Sequence, residues 1–462
     1  MSLSRRELIK GLALVGAAGA MGLPGLAAAA RRNRTIVWRN WSGAQSCIPA
    51  ARLGPASEEA LAELLRASRE VVRPVGAGHS FSALVPTDGS LVSLARLSGM
   101  IGHDAARQQS EWWGGTPMSQ MGAPLKAAGL ALTNMADIDY QSLAGAIATA
   151  THGTGIGFGS YSTQVTGLRL VTASGEMLDC DAQNRPEVFN AARVSLGALG
   201  FVTRVRLQNR PAFRLREKMW IQRTEEILEG IDEHRRANRH WEMHVLTHSD
   251  YAAAVSLNET TDAPSPPPVD PEAEGGNEYI KWIARLDKYG SDWPAARRAL
   301  LNLVASTAGF EERVGESYEV FANVRNVRFN EMEYSVPSEA GPACLREILA
   351  LIDKKRLPTW FPIEYRYIQG DDLPISMFEG GERCAISIHQ HYTMDYHNYF
   401  AEIEPIFWKH GGRPHWGKLH SLNARQLQKL YPRWKEFTEV RQALDPQGRF
   451  VNAHLRSILG VV

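Results

Sequence analysis

Three groups of residues in this 462-residue chain have types and spacings that could do chemistry. The first is the loop Val75–Ser82, VGAGHSFS. Gly76 and Gly78 would let backbone N–H groups close on an anion such as a pyrophosphate, and His79 stands at the tip. The spacing is GxGH rather than GxGxxG, and no helix obviously begins there, so the dinucleotide fingerprint is absent. Alone, the loop reads first as a tight turn beside a core histidine. The second group is Gln141–Ser160, QSLAGAIATATHGTGIGFGS, with His152 ahead of GTG. So many small side chains imply something flat or large against the backbone. Leu143, Ile147 and Ile156 argue against a mere flexible linker. The third is a pair of strand-like runs. Glu364 and Arg366 in FPIEYRYI share one parity, as do Ser387, His389 and His391 in CAISIHQHY. Ionisable groups on one face of apolar-alternating strands suit a buried polar site. They suit a solvated sheet face as well, and spacing alone favours the latter.

Other elements must hold these groups. PASEEALAELLRAS (Pro55–Ser68) predicts a helix capped by Ser57, with Leu61, Leu64 and Leu65 on one face. VVRPVGAG reads as a short strand entering the glycine loop, and Ser90–Leu97 as another strand. Pro117–Leu132 predicts a helix ended by Gly129. Gln164–Cys180 predicts a hairpin turning at Ala173–Ser174–Gly175, and Gly197–Gln208 a closing strand. Residues 36–208 thus form a mixed helix and sheet unit rich in glycine loops. Beyond it, Trp241–Asn258 alternates like sheet. Asn330–Arg356 reads as strand, loop and helix, with Leu345, Ile348, Leu349 and Ile352 in register. Thr260–Glu278 is polar and proline-rich, and reads as a surface spacer.

The chain is too long for one hydrophobic core, which predicts two or three domains. Hydrophobic residues are 44% and charged residues 22%, ordinary for a globular protein. A net charge of +1 gives no case for a nucleic-acid partner bound through phosphates. The mature chain is expected to have no membrane span. At the N-terminus, SRRELIK is followed by a Gly/Ala-rich apolar run and small residues near Ala28–Ala30. Arg5 and Arg6 make residues 1–30 resemble a twin-arginine export signal, which implies the export machinery as a partner and a periplasmic or exported location. A general secretory signal or an N-terminal anchor is the alternative. Cys47, Cys180, Cys344 and Cys384 are scattered, with no CxxC pair, so zinc and redox-motif readings fail and buried thiols are expected. No metal site is expected.

The first two groups together resemble the FAD domain of the vanillyl-alcohol-oxidase-type flavoproteins. More narrowly they resemble the sugar-lactone and alditol oxidases, among them the L-gulonolactone and D-arabinono-1,4-lactone oxidases. The resemblance continues through GFVTRV (Gly200–Val205), IEYR (Ile363–Arg366), GGRPHWGKLH (Gly411–His420) and VNAHLRSILG (Val451–Gly460). It implies an α+β fold with a two-part FAD-binding domain, 36–208, rejoined by a tail at 451–462. A substrate domain, 209–450, would carry an antiparallel sheet covered by helices. It implies FAD as cofactor, bonded covalently to the ring of His79, which would raise the reduction potential. FAD contacts would fall on Pro74, Val75, Gly76, Ala77, Gly78, His79, Ser80 and Phe81. Further contacts would be Ser142, Gly145, Ala148, Thr149, Thr151, His152, Gly153, Thr154, Gly155 and Val202.

The resemblance also gives the reaction and its residues. A CH–OH group of a sugar-derived lactone or a polyol would pass hydride to flavin N5, and electrons would go to O2, giving hydrogen peroxide. Glu364, Arg366, His389 and Lys418 would be catalytic, and Ser142 and His391 would join them in holding substrate. Lys418 would stabilise developing charge, Arg366 would be held by Glu364, and His389 would be the base. The loop SMFEGGER leaves the register of His389 and His391 open. A dehydrogenase of the same fold, passing electrons to a quinone or cytochrome, is the near rival. A non-catalytic exported sugar-binding protein is the rival of another class. A nicotinamide-using reductase of related fold lacks a nicotinamide signal here.

Overall fold

The computed structural model describes residues 37–266, 293–307, 309–323 and 327–461. The leader and most of the proline-rich stretch lie outside the described residues. The chain first lays down a small parallel sheet. Its strands are β1 (Ala51–Leu53), β2 (Val72–Val75) and β3 (Ser90–Ser93), ordered β1-β3-β2. Parallel strands need crossovers: α1 (Glu58–Ala67) carries the chain from β1 to β2, and the segment 76–89, with the glycine loop, carries it on to β3. The Ser57 side chain accepts from the Ala60 N–H at 3.1 Å, and Leu61 and Leu65 are fully buried.

A five-stranded antiparallel sheet follows. It contains β4 (Met100–Asp104), β5 (Gln109–Trp113), β6 (Val165–Val171), β7 (Met177–Cys180) and β8 (Phe201–Gln208), ordered β7-β6-β8-β5-β4. The expected hairpin at Ala173–Ser174–Gly175 is β6 to β7. Between β5 and β6 lies the short helix α2 (Leu143–Ala148). The single helix expected over Pro117–Leu132 is instead a 3-10 turn at Met118–Gln120, a helix at Gly122–Ala127 and a two-residue strand at Leu130–Ala131. Pro124 has no N–H to donate, so it is tolerated only in a first turn, and the helix starts late.

The third sheet has eight strands, all antiparallel. They are β9 (Arg214–Arg223), β10 (His240–Val245), β11 (Tyr251–Thr260), β12 (Glu311–Glu316), β13 (Phe329–Pro337), β14 (Ile363–Ile368), β15 (Arg383–His391) and β16 (Arg413–Pro414). Their order is β12-β9-β11-β10-β14-β15-β13-β16. Helices α3 (Gly341–Lys355) and α4 (His397–Lys409) cover one face, packing on β15 and β13. That face is apolar: Tyr334, Tyr365 and Ile386 meet Leu345, Ile348 and Ile403 in one core. Register puts the opposite parity in a row. Glu331 pairs with His389, Glu333 with Ser387, and Ser387 with Glu364. Alternation thus turns Glu331, Glu333, Glu364, Arg366 and His389 away from the helices.

The chain's end returns to its beginning. The Val72 N–H donates to the Arg449 carbonyl at 2.8 Å, and Asn452 Nδ2 donates to the carbonyls of Ala83 (2.9 Å) and Pro86 (2.8 Å). Asn452 also caps α5 (Ala453–Leu459). Buried Arg73 donates to the carbonyls of Leu84, Leu196, Gly197 and Phe450, tying three segments behind the glycine loop.

Candidate active site

A cavity of about 350 Å³ lies between the glycine-rich first half and the polar face of the eight-stranded sheet. Its first wall is the loop Gly76–Ser80, joined by Ser142, Gly145, Ala148, Thr149 and Val202. Its far end carries Glu331, Glu333, Glu364, Arg366, His389, His415 and Lys418. A volume above 300 Å³ with a few convergent charged groups is the anatomy of a small-molecule site.

The loop is held from both sides. Trp41 N–H donates to the Gly78 carbonyl (2.8 Å), Asn40 Nδ2 to Ser80 (3.0 Å), and Phe81 N–H to Gly417 (2.7 Å). Gly78 sits at φ 68°, where a side chain would be strained. A Cβ on Gly76 would stand 2.1 Å from Ser142 Oγ, so the Ser142 hydroxyl keeps its place against the loop only while residue 76 has no side chain. The peptide N–H groups of Gly76 through Ser80 have no acceptor among the described residues. Unpaired donors in succession along a cavity wall fit a diphosphate.

His79 lies in that loop, its ring 4.7 Å from Trp41 and 6.1 Å from Phe81. Burial, and next the Lys418 ammonium, push its pKa down to about 4. The ring is therefore neutral at pH 7, with a lone pair free to act as a nucleophile. Lys418 is near because Gly417 is bonded to the loop at Phe81.

The far end is an ion-pair network. Lys418 Nζ donates to Glu331, and lies 4.0 Å from Glu333. Arg366 lies 3.0 Å from Glu364 and 3.5 Å from Glu333. His389 Nδ1 is 3.0 Å from the Pro362 carbonyl, and its Nε2 is 3.6 Å from Glu331. His152 Nε2 is 2.6 Å from Glu333, and its Nδ1 is 2.8 Å from the Gly153 carbonyl. Both ring nitrogens of His152 thus face acceptor oxygens. Burial alone would raise the carboxyls of Glu331, Glu333 and Glu364. Their partners together outweigh it: Lys418 and His389 at Glu331, His152, His415 and Arg366 at Glu333, and Arg366, His389 and His244 at Glu364, whose pKa falls to about 2. His415 is held neutral by burial, at about 3. His152, Glu333 and His415, like Glu331, Glu364 and His389, bring ligand-type atoms within 4.8 Å. Each carboxylate already faces Lys418, Arg366 or His152, so the sets read as ion pairs rather than metal ligands.

The structure brings most of the sequence-chosen residues to this cavity and leaves five outside its lining. His391 lies beyond it: Nδ1 bonds Thr393 Oγ1 at 2.7 Å, and the ring packs on Trp360. It shares parity with His389, but two residues further along β15 the strand has passed the site. Phe81 turns inward, stacked on Phe329 at 5.7 Å with Lys418 Nζ 5.0 Å over its ring. Gly153 packs against Met135, whose carbonyl oxygen would lie 2.1 Å from a Cβ there, and Thr154 and Gly155 face the large sheet. Thr154 Oγ1 donates to the Trp241 carbonyl, and Gly155 N–H to Tyr367 at 2.7 Å. At these positions the small side chains admit other parts of the protein, not a cofactor. Glu331, Glu333 and His415 went unassigned in the sequence. The parity of NEMEYSVP carried the signal for the two carboxylates, whereas His415 had no spacing signal. The four cysteines are free, and all but Cys47 are buried.

Comparison with known proteins agrees with this geometry. Residues 205–458 match the family described as D-arabinono-1,4-lactone oxidase, and residues 49–181 match the FAD binding domain. The chain is 36% identical to L-gulono-1,4-lactone dehydrogenase of Mycobacterium tuberculosis, covering 92% of this chain and 99% of that one. It is 29% identical to L-gulonolactone oxidase of Bos taurus, over 92% and 98%. A mutant of cholesterol oxidase from Brevibacterium sterolicum shares the fold, with a TM-score of 0.74 at 17% identity, over 95% of this chain and 100% of that one.

Proposed function

Because the chain belongs to the D-arabinono-1,4-lactone oxidase family, we propose that the cavity is the site where a sugar lactone is oxidised at a CH–OH group with FAD. The observation that carries this reading is one cavity with a glycine cradle at one end and Glu364, Arg366, His389 and Lys418 at the other. FAD, when bound, supplies the two-electron acceptor. Gly76 through Ser80 would hold its diphosphate, and Ser142, Gly145, Ala148, Thr149 and Val202 would flank it. Neutral His79 would bond it covalently.

The remaining residues handle substrate and proton. Arg366, fixed by Glu364 at 3.0 Å, donates to substrate oxygens. Lys418 places a cation where negative charge develops on the carbinol oxygen. His389 takes the hydroxyl proton at Nε2, since Nδ1 is occupied by the Pro362 carbonyl. The rim at Ser142 completes the substrate site. Residues 1–30 act as a twin-arginine leader and send the protein to the periplasm or beyond.

Oxygen as acceptor is the first reading. A dehydrogenase is the second, favoured by the name of the 36%-identical relative. One experiment addresses both. Purified protein is screened with aldonolactones and polyols, in air with peroxide detection and under argon with an artificial acceptor. Peroxide at matching rates supports the oxidase, and turnover only with the artificial acceptor supports the dehydrogenase. A folded, FAD-loaded protein that turns over no lactone in either arm overturns the proposal.

A further inference from the structure

We propose that Glu331 is the positioning carboxylate for proton transfer at His389. The inference rests on the reading of His389 as the base. Glu331 and His389 are register partners across β13 and β15, so their side chains leave the sheet side by side on the polar face. His389 is pinned. Its Nδ1 lies 3.0 Å from the Pro362 carbonyl, which can only accept, so Nδ1 carries the hydrogen. Phe329 meets the ring edge-on at 5.0 Å, and Phe361 flanks it at 5.9 Å. In the neutral ring the lone pair is therefore on Nε2, and Nε2 is the nitrogen 3.6 Å from Glu331 Oε1.

Proton transfer changes what that contact does. The carbinol O–H bond breaks and its proton goes to Nε2. The O–H electron pair becomes the second carbonyl bond, and FAD, when bound, would take up the C–H hydrogen with its two electrons. Before transfer, Glu331 faces a neutral ring and gains little from it. Afterwards it faces an imidazolium at ion-pair distance. The interaction strengthens as the reaction proceeds, which is the kind that accelerates it.

The charged surroundings of His389 favour Glu331 in this role. Glu331 projects from β13, Glu364 and Arg366 from β14, and Lys418 from the segment after β16, with His244 on β10 in register with Glu364. Glu364 is engaged by Arg366 at 3.0 Å. Lys418 has a second carboxylate, Glu333, at 4.0 Å, so Glu331 is not its sole anchor. The other oxygen of Glu331 accepts from Lys418, whose charge favours the ionised carboxyl against its burial. Glu331 thus couples the cation on the carbinol oxygen to the base that takes its proton.

The test is the pH profile of kcat/KM for FAD-loaded enzyme, on the lactone turned over best in the screen. Glu331→Gln keeps the shape and removes the charge. The limb where kcat/KM rises with pH should move at least one unit lower, with the plateau down at least tenfold and FAD content unchanged. An unmoved limb with the loss confined to KM would make Glu331 a structural partner of Lys418 and overturn the proposal. His389→Asn runs alongside. If the wild-type limb survives in that variant, the base reading itself fails, independently of Glu331. Should Glu331→Gln not load FAD, Glu331→Asp serves instead. It withdraws the charge by one methylene, and the limb must still fall, by less. No movement in Glu331→Asp overturns the proposal equally.

Discussion

His152 and Glu333 meet at 2.6 Å between the glycine-rich segment and the eight-stranded sheet, and both side chains are 2% exposed. They are 181 residues apart in sequence. The contact clamps the cavity's two walls together from behind, because Glu333 also faces Arg366 and Lys418. Removing one partner leaves a buried polar atom of the other without its hydrogen-bond mate, which costs about 1–3 kcal/mol. His152→Ala and Glu333→Gln should each destabilise the folded protein by that order in urea unfolding. The double variant should lose clearly less than the sum. Additive losses would mean that the two side chains do not act as a pair.

His79 is expected to hold FAD covalently. Acid-precipitated wild-type protein should then keep its yellow in the pellet, and His79→Ala should release it to the supernatant. The imidazole pKa of about 4 adds a pH dependence. The nucleophilic neutral ring dominates from pH 8 down to near 5, so loading apoprotein across that range should give constant covalent yield. A yield that halves near pH 6.5 would describe a ring exposed to water.

Much of this arrangement was legible in the sequence, and the lapses have physical causes. The capped helix α1, the hairpin at Ala173–Ser174–Gly175 and the shared face of Glu364 and Arg366 follow from local rules of capping, turn chemistry and parity. They appear as expected. Parity says which face a side chain takes but not how far along the strand the site extends, so His391 was read into it. Small residues signal close approach without naming what approaches. At Gly76 the neighbour is Ser142 on the cavity wall, whereas at Gly155 it is Phe158 and the Arg239 carbonyl. Glu331 and Glu333 were readable by the same alternation as Glu364. Their importance lay in pairing with β15, a non-local fact that one segment does not carry.

Lys418→Met keeps length and removes charge. Its ammonium faces Glu331 and sits over Phe81. The rate of flavin reduction should fall by roughly two orders of magnitude, in line with losing one charge-stabilising donor. FAD affinity should change by less than threefold. Comparable losses in both would make it a structural lysine.

Buried histidines set the acid side of stability. His240 is 0% exposed and His415 4% exposed. Burial, their largest influence, lowers both to about 3, against 6.5 in the unfolded chain. Above pH 6.5 neither state binds the extra proton, and the stabilisation is fully present. Below 6.5 the unfolded chain takes up protons that the folded one refuses. Stability is therefore lost as pH falls from 6.5 towards 3, by about 1.4 kcal/mol per pH unit for each ring. Urea unfolding at pH 6.5 and pH 5 should differ by roughly 3 kcal/mol from these two groups. His240→Asn, which can still donate to the Thr154 carbonyl, should remove about half of that slope.

Gly76 and Ser142 give the sharpest test of the cradle. A methyl on residue 76 would lie 2.1 Å from Ser142 Oγ and 3.2 Å from its Cβ. The hydroxyl can swing aside, but the cavity then receives it where the cofactor would lie. Gly76→Ala should therefore fold, since the clash is with one rotatable group, yet load FAD at least tenfold more weakly. Adding Ser142→Ala removes the colliding oxygen and should restore most of the affinity, read by flavin fluorescence on titrating apoprotein. Ser142→Ala alone should bind FAD close to normally while raising KM for the lactone. If the double variant binds no better than Gly76→Ala, the glycine is required by the approach of the diphosphate itself and not by Ser142.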